Sequence, residues 1–122
     1  PNYVLYIPVV FHNIFADDSL GYLPEERFTE QINVMNEAYR AKAGSLSESG
    51  FDTKIEFILV GVNRVVNSEF FDDYHEYLYK EILNWDPTRF LNIYTNTART
   101  IITQIKIFST ARGYSNFHVS PL

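Results

Sequence analysis

Residues 3 to 14, YVLYIPVVFHNI, constrain the fold more than any other stretch of the chain. Leu5, Ile7, Val9 and Phe11 alternate with Tyr6, Pro8, Val10 and His12, and both sets are almost wholly apolar or aromatic. A strand with one wet face alternates apolar with polar residues. A strand that is apolar on both sides must be covered on both sides, as in a sheet lying inside an α/β layer structure. Pro8 lacks an N–H, so either the ladder is interrupted on one side there or the regular strand begins just beyond it.

The remainder supplies the layers. FADDSLGY, 15 to 22, reads as loop. Pro24 suits a first helical position, and Glu25 and Glu26 suit the positive end that follows, which predicts a helix from about Pro24 to Lys42. Phe28, Ile32, Met35 and Tyr39 form one apolar stripe, while Glu30, Asn33 and Glu37 lie off it. Arg40 and Lys42 are placed in the last turn, with Gly44 as the stop. The Gly/Ser-rich segment 44 to 53 is a connection, and 54 to 62 a second strand. Residues 69 to 83 suit a short helix with Phe71, Tyr74, Leu78 and Ile82 on one face. Trp85-Asp86-Pro87 then makes a break before a third strand at 90 to 95. Segments 100 to 108 and 113 to 119 also have strand composition. The order predicts a single α/β domain of layer type over 1 to 122, with a twisted mixed sheet and a long backing helix at about 24 to 42.

Composition narrows the function classes. Ten basic against fifteen acidic residues give a net charge of −5, which gives no pull toward phosphate backbones or anionic membranes. No run approaches the ~18 apolar residues of a membrane span. The Pro1 start carries no signal-peptide pattern and reads as that of a chain processed or excised from something longer. With no cysteine there is no disulfide, thiolate nucleophile or cysteine metal site.

Three histidines are the obvious candidates for acid–base or metal work. His12 lies within a strand and reads as a hydrogen-bonded structural residue. His75-Glu76 starts like the His-Glu-x-x-His zinc helix, but Tyr79 stands where the second imidazole is needed. His118 is alone. Asp17-Asp18 and Asp72-Asp73 read as solvated pairs, no serine sits in a Gly-x-Ser-x-Gly elbow, and the glycines form no phosphate loop. By its chemistry alone the chain is an α/β domain without an active site.

Three collinear segments add to this reading. IPVVFHNIF (7 to 15), QINVMNEAYR (31 to 40) with TKIEFILVGVNRV (53 to 65), and WDPTRFLNIYT (85 to 95) resemble the front half of the pappalysin-like metzincin zinc endopeptidases. Met35 stands where that family's helix pattern carries leucine. The resemblance implies the upper, N-terminal subdomain, which roofs a peptide-binding cleft, and it implies an extracellular or secreted protein. It also implies that GYSNFH, 113 to 118, is the edge strand preceding the zinc helix, with Ser115 for the usual alanine and His118 for the usual proline. Gly113, Tyr114, Ser115, Asn116 and Phe117 are therefore the candidate substrate-binding residues. The stretch from Asn96 to Arg112 is longer than that spacing suggests.

No His-Glu-x-x-His occurs in these 122 residues, so no catalytic residue and no metal ligand is assigned, and no cofactor is expected in this chain. Zinc is expected for a complete family member. The implied partners are a peptide or protein substrate and a C-terminal subdomain, without which the chain is expected to be inactive. The alternative is a free-standing or degenerate interaction domain that presents an exposed sheet edge to a peptide or protein. In either case the apolar run Ile101, Ile102, Ile105, Ile107 and Phe108, with Lys106 as its one charge, invites self-association.

Overall fold

The structure is a computed structural model describing residues 3–45, 48 and 50–97, together with the backbone of 104–105 and 116–119. Strand β1 (Leu5–Phe15) leads to helix α1 (Glu25–Tyr39) and strand β2 (Ile55–Val66). Helices α2 (Ser68–Phe71) and α3 (Glu76–Leu83) precede strand β3 (Leu91–Asn96), and two short strands follow, β4 (Gln104–Ile105) and β5 (Asn116–Val119). The sheet order is β2-β1-β3-β5-β4. β1 runs parallel to both β2 and β3, β5 is antiparallel to β3, and β4 is antiparallel to β5. The chain is thus a small α/β domain built on three parallel strands.

Because β1 lies between β2 and β3, the two crossovers run in opposite directions across the sheet. Right-handed connections then put their helices on opposite faces. Two separate cores result. On one face Phe28, Ile32 and Met35 of α1 pack with Val9, Phe11, Phe57 and Ile93. On the other, Phe71 and Tyr79 pack with Ile14 and Tyr94. Both side-chain sets of β1 are therefore used, as its sequence requires. Pro8 pairs in register with Ile58, and the β3 ladder begins only at Val9. The proline therefore precedes the stretch of β1 that has neighbours on both sides. Between Val9 and Val10 the register shifts, because Leu59 and Gly61 are their successive partners and Val60 is the extra residue of a bulge.

The helix expected over 24 to 42 is not seen at that length. It ends at Tyr39, and the Ala41 N–H bonds the Ala38 carbonyl while the Lys42 N–H bonds that of Glu37. Those two bonds, with Ala41 at φ 52°, make a Schellman stop three residues ahead of Gly44. Arg40 is drawn off to Asp52 and Glu56, each at 2.7 Å.

The helix expected over 69 to 83 is broken in two. Asp73 and His75 have φ of 66° and 65°, and the expected face is wrong: Tyr74, Leu78 and Ile82 are exposed, whereas Tyr79 and Lys80 are buried. The cause is Asp73. Against the solvated pair expected at 72–73 it is buried, and its carboxylate accepts the Tyr79 hydroxyl at 2.5 Å, turning that ring inward.

Candidate functional site

In an open α/β sheet, the carboxyl ends of the strands on either side of a change in strand order form a natural crevice. Here that point lies between β1 and β3. The polar residues interrupting the strands collect there: His12 and Asn13 on β1, Asn63 and Arg64 on β2, Thr95 and Asn96 on β3, with Asn92 at the start of β3 bonded to His12. Alternation sends them to two faces.

On the α1 face, Asn13 is fully buried and directs its Nδ2 to Thr95 Oγ1 (2.8 Å) and to the Gly21 carbonyl (3.1 Å). Its Oδ1 accepts the Leu23 N–H at 3.2 Å and Arg64 Nη1 at 2.6 Å. Arg64 also donates to the Leu23 carbonyl and lies over the Tyr22 ring, 4.3 Å from its centroid. Asn13 and Arg64 thus tie the loop 16–24 down across the crevice. Gly21, at φ 91°, has no room for a side chain, since a Cβ would fall 2.2 Å from the Phe71 ring.

On the opposite face, His12 is fully buried and stacks on Tyr94 at 4.7 Å. Its Nε2 lies 2.8 Å from Asn92 Oδ1, and its Nδ1 3.1 Å from Asn63 Nδ2. Asn92 Oδ1 also accepts the Trp85 N–H at 2.9 Å, and Nδ2 donates to the Trp85 carbonyl at 2.8 Å. These bonds to the Trp85 backbone fix the amide orientation, so His12 donates from Nε2 and accepts at Nδ1 as a neutral imidazole. Burial lowers its pKa from 6.5, and the bond to Asn92 offsets part of that shift. Further along, Asn96 Nδ2 donates to the Phe70 carbonyl (2.9 Å) and to the Tyr79 hydroxyl (3.0 Å), closing α2 and α3 onto β3.

These contacts are structural fastenings. Both His12 nitrogens are engaged by amides, and Asp73 is engaged by Tyr79. His75, at the start of α3, lies 3.3 Å from Glu69 and is exposed. Among the described residues no group of three or more His, Asp or Glu side chains is placed to hold a metal ion.

Of the five candidate substrate-binding residues, Gly113, Tyr114 and Ser115 lie outside the described residues, as do residues 101–103 and 106–108 of the apolar run. Asn116 and Phe117 open β5, opposite Asn96 and Thr95 on β3; Phe117 is also opposite Ile105 of β4. Register therefore places these two beside the carboxyl end of β3, but β5 is not the edge strand expected for this segment: it is paired on both sides, and among the described residues the sheet ends at β4. His118 is opposite Tyr94 and Gln104.

The motifs behind the family resemblance also hold the scaffold together. Asn36 clasps the Phe57 peptide, accepting its N–H at 2.6 Å and donating to its carbonyl at 3.0 Å. Tyr39 meets the Phe57 ring edge-on, and Trp85 lies against Gly61, where a Cβ would fall 2.8 Å from the indole. Reasoning from sequence missed Asn13, Asn63, Arg64, Asn92 and Asn96. For all but Asn92, which stands at the start of β3, the available signal was a polar residue at the carboxyl end of an otherwise apolar strand.

No protein-family model matches the chain, and no curated protein or solved structure matches it. No helix among the described residues is long and apolar enough to cross a membrane.

Proposed function

We propose that this chain is the non-catalytic upper part of a zinc metalloendopeptidase-like domain, aligning an extended peptide along its sheet and leaving the chemistry to a separate C-terminal part. The observation that carries this reading is where the resemblance falls. Asn36, Arg40, Trp85, Asn92 and His12 come from three separate segments, and each ties elements of this fold together. Collinear likeness at residues that determine a scaffold supports kinship of scaffold.

The β4 edge, next to β5, suits the task, because an extended peptide can add to an open sheet edge through main-chain hydrogen bonds. A free-standing interaction domain would use the same physics, and the two cores, one on each face, favour that second reading. Fluorescence polarisation with extended peptides, each also made with backbone N-methyl groups at alternate positions, tests the shared step. Strand addition predicts saturable binding that is lost on N-methylation along one edge of the peptide only. Binding indifferent to N-methylation, or no binding, contradicts it. A peptidase assay on the same samples separates both readings from an enzyme, for which the chain alone would cleave.

A further inference from the structure

The arrangement around His12 does more than fill space. Asn92 Oδ1 is shared between the His12 imidazole and the Trp85 N–H, so one oxygen joins a titratable ring to the turn 84–90. That turn is a thin cover. Trp85 is 38% exposed, and its ring rests on Gly61 and Phe90. We infer that His12, Asn63 and Asn92 form a proton-sensitive latch, which holds the Trp85 turn against β2 at neutral pH and releases it in mild acid.

Neutral His12 satisfies each contact. A proton on Nδ1 would set a donor against the Asn63 Nδ2 donor 3.1 Å away and leave a buried cation. The groups around the ring offer no counter-charge. β2 presents Asn63, since Arg64 points to the other face, and β3 presents Asn92 and Tyr94. From α3 come Lys80, 5.6 Å from the Tyr94 ring and paired with Glu76, and Tyr79, which is bonded to Asp73. α2 contributes Glu69, exposed and beside His75, and the turn contributes Asp86, exposed and held by Thr88. No carboxylate forms an ion pair with His12 among the described residues.

An imidazolium would therefore be stabilised by turning the Asn63 amide over and by water entering beneath the turn. A charged Nε2–H would also bind Asn92 Oδ1 more strongly, in competition with the Trp85 N–H. The sign follows from linkage. With the folded pKa depressed, the unfolded or opened state takes the proton first below about 6.5, so closure is favoured above that pH and weakens as pH falls.

Trp85 is the chain's one tryptophan, so its fluorescence reports the turn directly. Acrylamide quenching and far-ultraviolet circular dichroism would be followed on the same samples from pH 8 to 4.5. The latch predicts at least a twofold rise in quenching, with a midpoint below about 6.5, while the dichroism is unchanged. Asn63→Asp, which gives the Nδ1 proton an acceptor and a counter-charge within the closed state, should suppress the acid opening or move its midpoint down by about one unit or more. His12→Gln should abolish the transition. If quenching and dichroism change together, if the transition survives His12→Gln, or if Asn63→Asp leaves the midpoint in place, the inference is wrong. Should His12→Gln fail to fold, the parent and Asn63→Asp decide the matter alone.

Discussion

Gln31 is 1% exposed, and neither its Nε2 nor its Oε1 has a hydrogen-bond partner among the described residues. A buried polar group left unpaired costs about 1–3 kcal/mol. Gln31→Met keeps a similar volume and removes that cost, so the urea midpoint should rise by the equivalent of about 1 kcal/mol; a fall would show that the amide is paired. Asn92 is the opposite case. Its amide makes two short bonds to the Trp85 backbone and one to His12, so Asn92→Ala should lower stability by about 2–3 kcal/mol in the same measurement, and a loss under about 0.5 kcal/mol would contradict these contacts. His12 was legible as a structural histidine because it interrupts a buried strand. Asn92 was not, because its partners lie seven residues back across a turn and on another strand, which no local pattern reports.

At the scale of elements, α1 was legible because Phe28, Ile32 and Met35, at helical spacing, face one core, but its end was not. Sequence reasoning looks for glycine at the left-handed stop position, and this chain places Ala41 there. Alanine in that conformation is strained, so Ala41→Gly should stabilise by about 1 kcal/mol in thermal or urea melts, and destabilisation would contradict the stop as described. The α2–α3 region misled for a related reason. Phe71, Tyr74, Leu78 and Ile82 match helical spacing, but the left-handed residues Asp73 and His75 reset the phase between them. Burial, reinforced by the bond to Asp73, raises the Tyr79 pKa above its ordinary value of 10. The folded phenol keeps its proton where the unfolded one loses it, so stability is present below pH 10 and declines as pH rises beyond it. Tyr79→Phe should cost about 1–3 kcal/mol at neutral pH and flatten that alkaline decline, whereas an unchanged slope would place the decline elsewhere.

For the whole molecule, the doubly apolar β1 implied a strand covered on both faces. The order 2-1-3, with crossovers on opposite sides, is the arrangement that provides it. The polar residues at the carboxyl ends could not be read as one group from sequence, since Asn13 and Thr95 are 82 positions apart and meet only through the parallel register. That group fastens the fold, and the proposed function therefore rests on the sheet's β4 edge, next to β5. Zinc titration calorimetry should give no submicromolar site, because no three residues of the sequence have zinc-ligand spacing, and stoichiometric tight binding would contradict that. The most direct test is an amide chemical-shift titration of the isotope-labelled chain with an extended peptide. The account predicts the largest changes at residues 104–105 and 116–119 and at the adjoining Thr95 and Asn96, with none along the outer face of α1 at Glu30 and Glu37. Changes centred on α1, or a spectrum that does not respond to peptide, would contradict it.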